Sequence, residues 1–390
     1  MNPPARLVLK PERSRPVELH HPWVLSGSVA RVEGDPEPGA TVSVVSAAGV
    51  TLGIGDYDPS SQIRVRIHTF GNADADPDEK WLGERLRLAV RWREGHPELG
   101  ETDALRLVHA EGDGLPGLVV DRYADCLVLK AGTPAMVHRA DRIARDLAAA
   151  TGVRSAWLRG NAGGPDARVE ARALLGEPPE TATSIDERGR RYHVDLRRGQ
   201  KTGFYLDQRD ARDLVRKLAV GGLVLDLYAY SGGFSVAALQ GGARGVVAVE
   251  SSSPALDLLE LNAPEAERVK ADVGEFLRDD ERRFDLIVCD PPPLARRQRD
   301  VRAACGAYKD MNMAALRRAA DGAHMLTFTC SHHIDADLFR KVIFGAAEDA
   351  GANLQVLSAL GAAPDHPVSL RHPQGEYLKG LLLRVVEPGS

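Results

Sequence analysis

The stretch Leu223–Val236, LVLDLYAYSGGFSV, runs apolar up to Asp226, passes a turn, and restarts as a helix after Gly232 and Gly233. That is the outline of a β-strand, a glycine turn and a helix N-terminus. Glycine removes the side chain and tolerates dihedrals closed to other residues, so a ligand can approach the backbone closely there. The helix start adds N–H groups that have no partner inside the helix. The spacing differs from the dinucleotide fingerprint G-x-G-x-x-G, and no G-x-x-x-x-G-K-[ST] occurs in the chain. The turn therefore predicts a site for a nucleoside-type ligand without phosphates.

Around this stretch, apolar segments alternate with helical ones: Leu223–Leu227, Gly245–Glu250, Phe284–Cys289 and His324–Thr329, each followed by a helical pattern. Such alternation predicts a doubly wound, mainly parallel sheet whose ligands sit at the carboxyl ends of its strands. The residues at or just past those ends are Asp226, Glu250, Asp272, Asp290 and Cys330. Glu250 can accept hydrogen bonds from two ribose hydroxyls, or can serve the start of the next helix. Asp272 can accept from an adenine amino group, or can cap the helix that follows it. Asp290-Pro291-Pro292 forms a rigid turn, because proline fixes φ and supplies no N–H. Cys330 is either a small buried hydrophobe or a thiolate nucleophile; Thr329, Ser331 and a helix predicted to start at Ile334 favour the second reading.

Upstream, residues Arg6–Thr69 alternate short apolar segments with Gly and Pro turns, the pattern of a small β-barrel or sandwich. Its last segment places Arg64 and Arg66 on one side of a strand, as a solvated face or as a patch for an RNA backbone. Residues Asn72–Lys80, NADADPDEK, read as a linker before a helix starting near Trp81. From Leu105 to about Val194 the pattern predicts a compact α+β unit, with an Ala-rich helix over Met136–Ala150 and a hairpin around Asp186–Arg190.

At 390 residues the chain is long enough for two or three domains, and 43% hydrophobic with 27% charged residues excludes disordered and fibrous classes. A net charge of -5 argues against a protein that coats nucleic acid nonspecifically. Cys126, Cys289, Cys305 and Cys330 form no C-x-x-C pair, so neither a metal site nor a disulfide framework is expected. The N-terminus shows no cleavable signal and no window approaches the ~20 apolar residues of a membrane span. A cytoplasmic protein is expected.

Longer segments carry a specific resemblance. HPWVLSGSV (His21–Val29), RLVHAEGDGLPGLVVDRY (Arg106–Tyr123), GQKTGFYLDQRDAR (Gly199–Arg212), DLYAYSGGFS, CDPPPLAR, ACGAYKDMNM, TFTCSHHI, DHP (Asp365–Pro367) and EYLKGL (Glu376–Leu381) follow in one order. In these the chain resembles the RlmI-type ribosomal RNA large-subunit methyltransferases, which use S-adenosylmethionine to methylate C5 of a cytosine in 23S rRNA. The resemblance implies a PUA RNA-binding domain over residues 1–72, a central α+β domain of EEHEE type over 73–195, and a Rossmann-like class I methyltransferase domain with a mainly parallel seven-stranded sheet over 196–390.

It further implies that Asp226, Ser231, Gly232, Gly233 and Phe234 hold the methionine part of the cofactor, Glu250 its ribose and Asp272 its adenine amine. Tyr205 and Gln208 would line the same pocket. Cys330 corresponds to the nucleophile and Asp290 to the acid of the DPP motif. Pro291, Pro292, Arg64 and Arg66 are candidates to contact RNA, as are Tyr308 and Lys309, either of which can instead cap or pack the helix that follows, and no metal is implied. The partner would be 23S rRNA, naked or in an assembly intermediate, and a homodimer is compatible with the sequence. Two alternatives stay open: methylation of guanine or of an exocyclic amino group, and a non-catalytic RNA-binding factor in ribosome assembly.

Overall fold

A computed structural model describes residues 5–71, 79–159, 171–177, 179, 182–295 and 297–386. Most of the linker expected over Asn72–Lys80 lies outside the described residues. The chain forms two compact units, one of Met1–Thr183, Leu196–Gly203 and Pro364–Gly375, the other of Ser184–Asp195, Phe204–Ala363 and Glu376–Ser390.

The first unit holds two sheets. Strands Arg6–Leu9, Trp23–Leu25, Val29–Glu33, Thr41–Val45, Thr51–Tyr57 and Ile63–Phe70 form a six-stranded sheet closed over Leu7, Leu9, Val24, Val42, Val44, Val65 and Ile67. Strands Ala104–His109, Leu118–Tyr123, Cys126–Ala131, Ser155–Leu158 and Arg172–Leu175 make the second, covered by helices Lys80–Glu94 and Ala140–Thr151. The single helix expected over Met136–Ala150 is two, Pro134–His138 and Ala140–Thr151. They meet at the buried Arg139, whose guanidinium reaches Asp56 (2.6 Å) and Glu79. An arginine committed to partners outside the helix sets the break, and apolar periodicity does not report such a partner. The late segment Pro364–Gly375 is tied into this unit by Asp365: its carboxylate accepts from the Arg106 N–H (2.9 Å) and its carbonyl from Arg93 (2.8 Å).

In the second unit a seven-stranded sheet runs through β1 (Leu223–Leu227), β2 (Gly245–Glu250), β3 (Glu267–Lys270), β4 (Phe284–Cys289), β5 (Ala319–Thr329), β6 (Asn353–Leu360) and β7 (Lys379–Val386). Its spatial order is β3-β2-β1-β4-β5-β7-β6. The first five strands are parallel and β7 runs antiparallel between β5 and β6. The helices are α1 (Arg209–Leu218), α2 (Gly233–Gln240), α3 (Ser253–Asn262), α4 (Val273–Asp279), α5 (Val301–Leu316) and α6 (Ala336–Ala350). Alternate residues of the central strands enter two cores: Leu225, Leu227, Val247, Val249 and Ile287 on one face, Val224, Val246, Ala248, Leu286 and Val288 on the other. Burial on both faces explains why these strands read as unbroken apolar runs. The strand expected from His324 begins at Ala319, because Asp321 and Gly322 interrupt its apolar pattern and a register irregularity opposite Phe284–Leu286 absorbs them. Among the described residues no helix is long and apolar enough to cross a membrane.

The hairpin Thr183–Glu187 and Arg190–Val194 turns through Arg188 (φ 52°) and Gly189 (φ 74°), and its residues from Ser184 belong to this second unit. It delivers the fully buried Glu187 to Arg212 (2.8 Å from Nε), Arg190 (3.2 Å) and Arg209 (3.5 Å). Burial pushes the Glu187 carboxyl up, but the surrounding guanidinium groups outweigh it and hold the group below its ordinary range. Replacing Glu187 with Gln leaves several buried cations without their anion, so the full-length protein should lose roughly 3–5 kcal/mol of unfolding free energy. Urea denaturation measures this, and an unchanged midpoint would contradict the role assigned to the cluster.

Candidate active site

The turn after β1 is built from left-handed residues: Tyr228 (φ 60°), Tyr230 (φ 49°) and Gly232 (φ 81°). For bulky side chains such dihedrals cost of order 1–3 kcal/mol each and persist only where the surroundings impose them. Here the Tyr230 N–H donates to Glu250 Oε2 (3.0 Å), the Ala229 N–H to the Val249 carbonyl (3.1 Å), and Asn262 Nδ2 to the Ser231 carbonyl (2.8 Å). A Cβ on Gly232 would come within 3.0 Å of the Leu259 side chain. Glycine is therefore required at this position by both dihedral and space, and α2 starts directly after it. Phe234 anchors the helix start by stacking on Phe328, with centroids 6.2 Å apart.

Asp226, fully buried at the tip of β1, accepts from Ser235 Oγ at 2.6 Å through Oδ2. Its Oδ1 and the buried Ser231 Oγ have no hydrogen-bond partner among the described residues. Burial pushes this carboxyl up to about 7; Ser235 opposes the shift, while Asp290 and Glu250 add to it. Buried polar atoms are normally paired, so an orphaned carboxylate oxygen and hydroxyl at a glycine turn fit a polar or cationic ligand group.

Glu250 is fixed by backbone donors, with Oε1 accepting from the Ser252 N–H (2.8 Å) and Oε2 from Tyr230. Oε1 also accepts from Ser251 Oγ (3.5 Å), so Glu250 braces the turn rather than capping α3 alone, and Oε2 keeps a further lone pair. Asp272 caps α4 through Oδ1, accepting from the N–H groups of Gly274 (2.8 Å) and Glu275 (3.2 Å).

A second group of residues gathers at the tips of β4 and β5. Asp290 Oδ2 accepts from Gln208 Nε2 at 2.9 Å, while the buried Gln208 Oε1 has no hydrogen-bond partner among the described residues. Tyr205 meets Tyr230 edge-on (5.5 Å), and burial first, then the charges of Asp290, Asp207 and Cys330, push its phenol up. Cys330, half-buried, has Sγ 3.9 Å from the Pro291 carbonyl. Pro291 is buried and Pro292 exposed. Beneath them Thr329 Oγ1 donates to Tyr308 OH (3.0 Å), and Tyr308 OH and the Ala295 N–H both reach Ser331 Oγ (3.2 and 3.1 Å). This network locks the proline loop to the cysteine segment. Tyr308 is wholly buried, so it supports the site from behind. Lys309 pairs with Asp349 at 2.7 Å and ties α5 to α6.

The helix expected at Ile334 starts instead at Ala336, where Asp335 accepts from the Leu338 N–H (2.8 Å). Its positive end lies further along the chain from Cys330 than expected, which weakens it as a source of thiolate stabilisation. Two residues at this end were not singled out by sequence: Tyr377, whose hydroxyl donates to Asp207 Oδ2 (2.5 Å), and Lys379, whose ammonium donates to the Ser331 carbonyl (3.0 Å). The one available signal was a lysine opening an otherwise apolar strand. Arg64 and Arg66 belong to the first unit: Arg64 Nη1 donates to the carbonyls of its own turn, including Asp58 (3.3 Å), and Arg66 faces Glu111 at 3.9 Å.

A mainly parallel sheet with a strand-end acid, a glycine turn and a braced second-strand carboxylate fits a class I methyltransferase, and a family model described as S-adenosylmethionine-dependent methyltransferase matches residues 142–301. A PUA-like domain model matches residues 7–70. The chain is 38% identical over 394 residues to the ribosomal RNA large subunit methyltransferase I of Escherichia coli O9:H4 strain HS, covering 98% of this chain and 99% of that one. The Salmonella arizonae protein of the same name is 38% identical over 397 residues, covering 98% of each. The chain belongs to the ribosomal RNA large subunit methyltransferase I family. In fold it is similar to a candidate SAM-dependent methyltransferase from Streptococcus mutans (TM-score 0.80, 20% identity, 97% of this chain and 100% of that one). It is equally similar to SMU.776 complexed with SAH (TM-score 0.79, 20% identity, the same coverage).

Folding raises the Asp226 pKa from the ordinary carboxylate range to about 7. Between those limits the folded state holds a proton that the unfolded chain has released. Stability from this group is therefore complete at and below about pH 4 and is lost as the pH rises through about 7. From about pH 5 to about pH 7.5 the thermal midpoint of ligand-free wild type should fall further than that of Asp226→Asn; parallel curves would contradict the assignment.

Proposed function

We propose that the chain uses S-adenosylmethionine to methylate C5 of a cytosine in 23S rRNA through a covalent bond between Cys330 and C6 of the base. The observation that carries this reading is the pairing of Cys330 with the Asp290-Pro291-Pro292 loop across adjacent parallel strands, with Sγ 3.9 Å from the Pro291 carbonyl. Family membership supports the coarser reading, a SAM-dependent ribosomal RNA methyltransferase.

When bound, the cofactor supplies an electrophilic methyl group on a sulfonium. Asp226 and Ser231 have the unpaired atoms to receive its methionine part, with Gly232, Gly233 and Phe234 shaping the turn; Glu250 takes the ribose and Asp272 the adenine amine. Tyr205 and Gln208 close the pocket next to Asp290. C5 of cytosine is a weak nucleophile until a thiolate adds at C6, which makes C5 an enamine carbon. Asp290, oriented by Gln208, acts in its protonated form, donating to N3 and so neutralising the negative charge that addition places on the ring. After methyl transfer a base, a bound water or hydroxide, takes the C5 proton, and the C5–H pair forms C5=C6. The C6–S bond returns its pair to sulfur to free the Cys330 thiolate, and the N3 proton goes back to Asp290. The target base must leave any stacked helix to reach this pocket. Pro291 and Pro292 form its rigid wall, Tyr308 holds that wall in place, and Arg64 and Arg66 of the PUA-like domain serve flanking RNA. By function the chain divides into residues 1–72, 73–195 and 196–390 in this reading, although the compact units assign Ser184–Asp195 to the second and Leu196–Gly203 and Pro364–Gly375 to the first.

Replacing Cys330 with Ala should abolish 5-methylcytosine in 23S rRNA, read by nucleoside mass spectrometry, while calorimetry still detects S-adenosylmethionine binding. Persistent 5-methylcytosine, or a methyl group on guanine or an exocyclic amine, would overturn the reading.

A further inference from the structure

Lys379 is a lysine with only 7% of its surface exposed, at a strand tip beside the cysteine. The antiparallel register of β5 and β7 pairs Lys379 with Thr329, the residue before Cys330, and its ammonium donates to the carbonyl of Ser331, the residue after it. The amine thus brackets Cys330 along the chain. The close approach of the strands is itself specified, because a Cβ on the following residue, Gly380, would run into the Phe328 ring and push β7 away from β5.

A buried ammonium needs a reason, since removing it from water is costly unless anions or acceptors compensate. The groups facing it are Glu376, Cys330 and Asp335, while burial pulls its own pKa down. Cys330 in turn is felt by Tyr205 and Tyr308, both held neutral by burial, and Asp290 stands at the neighbouring strand tip. Lys379 is a cation that interacts electrostatically with Cys330. The next helix along the chain begins only at Ala336.

We propose that Lys379 is the positioning residue that activates Cys330, its ammonium favouring the thiolate while its hydrogen bond to the Ser331 carbonyl fixes the cysteine segment. This rests on the cytosine-C5 reading above. The Cys330 thiol gives its proton to solvent, the thiolate sulfur bonds C6, and the C5=C6 electron pair moves into the ring. On elimination the C6–S bond returns its pair to sulfur. Lys379 keeps its proton throughout and lowers the cost of the anion at both ends of the cycle.

The test is the pH dependence of iodoacetamide alkylation at Cys330, followed on its own peptide by mass spectrometry in the full-length protein. Wild type should show a midpoint below the roughly 8.5 of an ordinary thiol. Lys379→Gln, which keeps a donor for the Ser331 carbonyl but loses the charge, should raise the midpoint by about one unit or more, and Lys379→Arg should restore it. The alkaline rise of 5-methylcytosine formation should move with it, leaving K379Q about ten-fold slower near neutral pH and recovering at higher pH. Equal midpoints in wild type and K379Q overturn the proposal, as does a wild-type midpoint at or above that of an ordinary thiol, which needs no variant to fold. The two failures are separable: persistence of 5-methylcytosine in C330A defeats the covalent mechanism, whereas an unshifted alkylation curve defeats only the role of Lys379.

Discussion

Everything at the site depends on the parallel alignment of β1, β2, β4 and β5. Because these strands run the same way, their carboxyl ends fall on one edge, and residues scattered over about a hundred positions from Asp226 to Cys330 become neighbours. Along most of their length the strands give alternating apolar side chains to two cores, and the polar chemistry gathers at or just past their ends, at Asp226, Glu250, Thr329 and Asp290. Antiparallel β7 is the exception that extends this edge, since its N-terminal residue lies beside the end of β5.

The edge concentrates like charges, and the structure handles them differently. Glu250 is tied to backbone N–H groups and Asp290 to an amide, while Asp226 is left buried with one partner and a pKa near neutrality. The turn between them is held in left-handed dihedrals by residues such as Tyr that do not favour them. Strain and an unsatisfied acid in one place mark a surface shaped for something other than its own stability.

Much of this was legible in the sequence. The strands at Leu223–Leu227, Gly245–Glu250 and Phe284–Cys289 lie where their apolar runs place them, because parallel strands buried on both faces leave a continuous signal. What escaped were contacts decided at long range. Arg139 interrupts a helical pattern through partners in other elements, and Asp335 moves a helix start that apolar periodicity could not fix. Lys379 lies far from Cys330 in sequence, and an antiparallel register cannot be counted from spacing. For Tyr308 the sequence leaves an RNA contact and a packing role both open, and its wholly buried ring favours packing, which nothing in GAYKDMN announces.

The path of the chain has a consequence for how the protein is made. Asp365, supplied by a late segment, completes the hydrogen bonds of Arg93 and Arg106 in the first unit, and β7, nearly the last element, fills the gap between β5 and β6 in the second. Neither unit holds all its parts until residues 364–386 have emerged from the ribosome. A nascent chain stalled before residue 364 therefore exposes an open sheet edge in the second unit and, in the first, leaves the Asp365 acceptors missing from an Arg93 guanidinium that Asp113 still holds and from the Arg106 backbone N–H.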